Sequence, residues 1–215
     1  MRRTLTLAVL ALLLVAPRAH ALGKGDNFFA LELTHGVADL YTPDFGSTGY
    51  ITAYDHSEQG VQGQYWKMMS TDYAFNVTAG WGFFSETDKP GAAAPPGSGD
   101  AKYSQSSFLV RVGGDRVASI GDRTLFYFGP GIEYWSGKAK FEQSGLPSVE
   151  TESITRYSLS ARVGATMKVS KGWGVTGHVG TRIGMASAKD QGAKASWWPS
   201  SNEGSVGLMF LFGSE

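Results

Sequence analysis

The chain has 215 residues and no Cys, with 29 Gly, 12 Phe, 9 Tyr and 6 Trp. Its 19 Lys and Arg balance 19 Asp and Glu; because Arg2, Arg3 and Arg18 lie in the first 21 residues, which hold no acid, the remainder is net acidic by three. These figures exclude a disulfide scaffold, a thiolate metal site and a Cys nucleophile, and they exclude a strongly basic nucleic-acid binder.

Met1-Arg2-Arg3 forms a short positive segment, Leu5 to Val15 is apolar except for Thr6, and Ala19-His20-Ala21 follows as an A-x-A cleavage pattern. Those three regions in that order predict a cleavable signal peptide over 1–21. The apolar run falls short of the roughly 20 residues a membrane helix needs. Residues 22–215 are expected to form a single domain.

Alternation with a period of two continues almost throughout that domain, and a 3.6-residue period is missing. It predicts eight strands, near 28–41, 59–69, 73–86, 103–118, 124–140, 155–169, 174–187 and 204–212. The connections after strands two, four and six are short. The other four, near 42–58, 87–102, 141–154 and 188–203, are long and polar or rich in Gly and Pro. Sorting of short and long connections, with an even strand count, predicts an all-β fold: an eight-stranded antiparallel up-and-down transmembrane β-barrel.

The two faces of each strand differ in kind. Phe75, Val77, Ala79, Trp81 and Phe83 share one face of strand three; Asn76, Thr78, Gly80 and Gly82 share the other. Strands four to eight repeat the contrast. A face of Gly and Ser with isolated charges makes a poor solvent coat and a suitable narrow interior, so the apolar faces are expected to meet lipid. Aromatic belts are expected at both interfaces: Trp66, Tyr73, Phe126 and Trp173 near the short turns, and Trp81, Phe83, Tyr134, Trp135 and Tyr157 near the long loops.

With these features the chain resembles the small OmpA/OmpX-type outer-membrane β-barrels. The resemblance spans the whole mature chain and is architectural. It rests on the signal peptide, the strand count, the loop parity and the closing strand Ser205 to Phe212. It implies the outer membrane of a Gram-negative bacterium, lipid as the surroundings, and insertion by the barrel assembly machinery. That machinery would read Phe210 and Phe212, here followed by Gly213-Ser214-Glu215. The family's roles include anchoring, adhesion, stress resistance and lipid modification. A monomer is expected, with the outer loops free to meet an extracellular ligand.

Folding the polar faces about the turn centres brings Arg111, Glu133, Arg162 and Arg182 into one lumenal layer across four adjacent strands. Glu32 is expected to reach across to balance it, with His178 one step of alternation below. Such a layer is either a filter for a small solute or a plug that satisfies the interior. An eight-stranded barrel is just wide enough for side chains, which favours the plug.

Three motifs suggest chemistry. Gly172-Trp173-Gly174-Val175-Thr176-Gly177 matches a dinucleotide fingerprint, but a strand follows it where a helix is required. Asn76-Val77-Thr78 matches a glycosylation sequon inside a strand. Asp55-His56-Ser57 holds the residue types of a hydrolytic triad, yet three consecutive residues seldom converge on one atom. Weak catalytic candidates are therefore His56 and Ser57, together with His35, whose parity places it against lipid unless Gly36 marks a bulge. His35, His56 and His178 fall on different elements, so neither a metal site nor a cofactor is expected. Trp197-Trp198-Pro199 puts two rings in an otherwise polar outer loop, where packing at the interface is favoured over a binding hot spot. The expected role is structural or surface-interacting and not enzymatic. The alternatives are a lipid-modifying barrel enzyme acting on lipid A acyl chains, or a porin-like narrow pore or lateral path for small hydrophobic solutes.

Overall fold

Alternation commits each long segment to an extended chain, and a strand whose apolar face meets lipid leaves its backbone groups no partner but another strand. The computed structural model describes residues 25–43, 51–88, 100–121, 123–143, 148–150, 153–170, 172–190 and 193–212. The expected signal peptide and the C-terminal tripeptide lie outside these residues. The strands are β1 Asn27–Pro43, β2 Ile51–Met68, β3 Tyr73–Asp88, β4 Ala101–Ile120, β5 Thr124–Gln143, β6 Val149–Glu150, β7 Ser153–Lys168, β8 Trp173–Asp190, β9 Ala193–Trp197 and β10 Ser200–Phe212.

All pairings are antiparallel between neighbours in sequence, apart from the closure and two short additions. β10 pairs with β1 from Asn27↔Phe212 to Ala38↔Ser201, and with β8 from Phe210↔Trp173 to Ser200↔Ile183. Those two pairings close β1, β2, β3, β4, β5, β7, β8 and β10 into a barrel. β6 and β9 extend it, on β5 and β8 respectively. The short turns share one end with Asn27 and Phe212. In the turn between β4 and β5, Gly121 takes φ of +63°, where a Cβ would be strained. Pro130 stands mid-barrel in β5; it has no N–H, and the β4–β5 ladder lapses between Gly113↔Gly131 and Arg116↔Phe128.

The strands run further than the sequence predicts. β2 begins at Ile51, and β8, β9 and β10 occupy most of the expected loop 188–203. Hairpin pairing continues past the apolar band, because backbone groups still pair where side chains turn polar.

The sheet is apolar outside. Leu31, Leu33, Ile132, Leu159, Val179, Ile183, Val206 and Leu208 are all exposed on the outer wall. Tyr73, Phe75, Trp173, Phe210 and Phe212 ring its short-turn end, and Trp81, Phe83, Phe108 and Tyr157 ring the other. Two rings assigned to these belts belong elsewhere. Trp66 and Trp135 are only 1% and 2% exposed and lie in the lumen. Even positions of β2 and odd positions of β5 face inward, so strand-end position alone misplaced them.

Candidate functional site

The lumen is built in two layers, and both follow from which residues of each strand point inward. Nearest the short turns the inward positions are apolar: Phe28, Trp66, Met68, Val117, Leu125, Tyr127 and Met209 pack as one cluster. The Trp66 ring centroid is 4.5 Å from that of Phe28 and 4.2 Å from that of Tyr127, the latter edge-on. The sequence reading took the inward faces for Gly and Ser with a few isolated charges. It missed this base because Gly and Ser dominate the inward positions elsewhere.

Above the base lies a continuous polar chain. The Arg162 guanidinium stands 5.0 Å and 5.4 Å over the rings of Trp66 and Tyr127, a cation–π contact that matters most where water is scarce. It makes a 2.7 Å ion pair with Asp115 and donates to Gln64 Oε1 at 2.6 Å. Asp115 also accepts from Asn76 Nδ2 at 2.8 Å. Asn76 Oδ1 in turn accepts from Arg111 at 2.6 Å, and Arg111 Nε donates to Ser160 Oγ at 2.9 Å. The Asn76 sequon is thus a buried lumenal amide.

A second branch starts at Glu32, which accepts from Gln62 Nε2 at 2.6 Å and from Gln64. His178 sits between two carboxylates, 3.4 Å from Glu32 and 3.6 Å from Glu203, and its Nδ1 is 2.7 Å from Ser205 Oγ. Glu203 pairs with Arg182. Arg182 reaches Glu133 at 3.2 Å, and Arg156 reaches the same oxygen at 3.3 Å. Arg156 also stands 5.2 Å over the buried Trp135 ring. Arg162 with Asp115, Arg182 with Glu203 and Glu133, and Arg156 with Glu133 are opposite charges, so each of these groups gains a partner on leaving water.

Glycine makes room for these side chains. A Cβ on Gly131 would come within 2.6 Å of Arg111 Cζ, and one on Gly164 within 2.6 Å of the Tyr127 hydroxyl. Small residues beside large ones let a narrow barrel hold arginines and rings at all.

The predicted residues are therefore grouped differently. Arg111 and Glu133 are direct backbone partners, yet Arg111 lies over Gly131 and Gly113 and bonds Asn76 instead. Arg162 pairs with Asp115, not Glu133. Glu133 is held by Arg182 and by Arg156. Glu32 balances His178 and the glutamines, not the arginine layer. Asp115 and Glu203 were missed, and Arg156, read on the inward face of its strand, was left out of the charge layer. Asp115 continues the inward parity of β4, and parity extended along that strand would have found it. Glu203 fell in a segment read as loop.

A cavity of about 40 Å3 lies beside this chain, lined by Gly36, Gly80, Gly82, Gln62, Arg182 and Glu203, among others. It has room for about three waters. Arg182 Nε is buried with no protein acceptor, which suits bridging water there.

His35 is exposed on the outer wall in an unbroken register, opposite Gly204 and Gln59, so Gly36 marks no bulge. The backbones of His56 and Ser57 pair with Ala38 and Val37; their side chains lie outside the described residues, as does that of Trp197. Trp198 is 73% exposed. Phe210 and Phe212 face outward at the end of β10. Among the described residues no group of His, Asp and Glu could hold a metal ion.

No protein-family model matches the chain. A comparison with curated proteins returns no match. Solved structures do match. The outer membrane protein OprG from Pseudomonas aeruginosa aligns at a TM-score of 0.50 and 11% identity, over 92% of this chain and 99% of that one. The attachment invasion locus protein Ail of Yersinia pestis aligns at 0.46 and 15% identity, over 88% and 99%. Neisserial surface protein A aligns at 0.43 and 15%, over 88% and 100%. At such identity the OprG match speaks to the fold: a small eight-stranded barrel of the outer-membrane type.

Proposed function

We propose that this chain is an outer-membrane β-barrel of a Gram-negative bacterium with a structural or surface-interaction role, its lumen filled by the charge network. Its surroundings are lipid, its insertion depends on the barrel assembly machinery, and it works as a monomer whose outer strands and loops meet any extracellular ligand. The observation that carries this reading is the lumen's continuity. A packed aromatic and aliphatic base lies under an unbroken chain of ion pairs and hydrogen bonds from Arg111 to Arg156. Eight strands leave little space beyond such side chains. The apolar outer wall and the export signal expected over residues 1–21 support the location. A surface role needs a rigid base, and a filled barrel supplies one.

The test combines extraction, gel mobility and planar-bilayer recording. The protein should leave membranes only with detergent, shift in mobility only after boiling, and pass no steady current. Release without detergent would end the membrane reading. Large, steady currents would end the filled-lumen reading and favour a pore.

A further inference from the structure

The charge network leaves space at the loop end of the lumen. Gly36, Gly80 and Gly82, at inward positions of β1 and β3, contribute no side chain, and the cavity of about 40 Å3 lies against them. Its lining also includes Trp135, Arg182, Ser201 and Glu203. Among the described residues of this lining, three leave a buried polar atom without a partner: Trp135 Nε1, Arg182 Nε and Ser201 Oγ. All three side chains are enclosed, with Trp135 2% and Ser201 6% exposed and the Arg182 side chain 10%. An unmet donor in such a place is costly until something enters to meet it. The two N–H donors are also fixed in direction. Arg156 stands 5.2 Å over the Trp135 ring, and the ring lies on the bare backbone of Gly137, where a Cβ would come within 2.6 Å of its Cη2. Arg182 is held through both terminal nitrogens, by Glu133 and Glu203.

We propose that this cavity is a binding site for one small neutral polyol taken from the medium outside the cell, with a three-carbon triol as the size that fits. The inference rests on the membrane reading above, which sets the loop end outside; the apolar base closes the other end. Size follows from volume, because space for about three waters is space for three hydroxyls on three carbons. The neutral class follows from the lining. An anion would bring a second negative charge beside Glu203, and a cation would face the N–H groups of Trp135 and Arg182. A hydroxyl accepts from either N–H and still donates, to Ser201 or to the Glu203 carboxylate. The carbon skeleton has the Trp135 ring and Leu109 to lie against. Ordered waters give way to such a ligand without loss when its groups repeat their hydrogen bonds.

The experiment uses the mature chain in lipid nanodiscs, glycerol as the probe and saturation-transfer-difference NMR as the readout, with empty nanodiscs as background. Wild type should give a saturable signal at millimolar glycerol. Trp135→Phe keeps a ring and removes the N–H, and Ser201→Ala removes the hydroxyl; each should weaken binding at least threefold. Ser201→Leu fills the cavity with carbon and should abolish the signal. Boiling-dependent gel mobility checks that each variant is folded. Sodium nitrate and ammonium chloride should leave the signal unchanged; displacement of glycerol by either would overturn the neutral class. A wild-type signal no higher than that of empty nanodiscs, or equal signals from wild type, Trp135→Phe and Ser201→Ala, would mean that the cavity holds water only and would overturn the site. Liposome swelling keeps the filled-lumen reading separate, since wild type should bind glycerol without letting it through. Swelling in glycerol would overturn that reading and the blind site with it; absence of binding without swelling would overturn the site alone.

Discussion

Asp115 and Arg162 form a fully buried ion pair in the lumen, 2.7 Å apart with side chains 0% and 2% exposed. They join strands that are not neighbours, β4 and β7, across the barrel rather than around it. The carboxylate keeps a second donor in Asn76, and the guanidinium keeps Gln64 and two ring faces. This pair ties the polar chain to the apolar base.

Breaking it from one side should be costly. Asp115→Ala leaves Arg162 in a dry site and should destabilise the barrel by about 3–5 kcal/mol. Asp115→Leu combined with Arg162→Met should recover most of that loss, since the buried charge is gone from both sides. Urea unfolding in lipid vesicles reads both. A double variant no more stable than Asp115→Ala would mean that the pair is not the source of the effect.

Glycine notches make a sharper test of packing. Gly131→Val should cost about 1–3 kcal/mol by driving Arg111 from its place. Gly114→Ala should cost far less, because the nearest heavy atom to its Cβ is 4.0 Å away. The midpoint temperature of the gel-mobility change compares them.

The two layers should separate in bilayer recordings. Glu133→Ala deprives Arg156 and Arg182 of their shared carboxylate and should lower stability by about 1–3 kcal/mol. It should still pass no steady current, because the apolar base is intact. Trp66→Ala with Tyr127→Ala removes two rings packed edge to face from that base and should open a measurable path. Steady current through Glu133→Ala alone would place the seal in the charge network instead.

Single-Trp variants read the orientation of the wall directly. Trp81 and Trp173 should be strongly quenched by lipids brominated on their acyl chains. Trp66 and Trp135 should be spared, being enclosed in the lumen. Quenching of Trp135 equal to that of Trp81 would contradict the inward parity of β5.

Replacing His56 or Ser57 by Ala should leave lipid A acylation unchanged in the host membrane. Loss of an acyl-chain modification in either variant would mark the chain as an enzyme.

Most of the architecture is legible in sequence because a lipid-facing strand states its parity at every second residue. Val77, Ala79 and Trp81 already separate wall from lumen. The charge partners are less legible. Parity says that Arg111, Asp115, Glu133 and Arg162 point inward, but an arginine spans several residues along a tilted strand. Its partner is chosen by where space is left, and Gly131 and Gly113 decide that for Arg111.

His178, Glu203 and Glu32 belong to β8, β10 and β1, the strands on either side of the closing seam. In a sheet not yet closed, the imidazole would lack its Glu32 partner, and Arg182 would face Glu203 only after the final strand had docked. Completion of the barrel and completion of its internal charge balance are thus one event. A chain halted one strand short would carry unmatched charge inside the bilayer, which opposes the persistence of any half-inserted form.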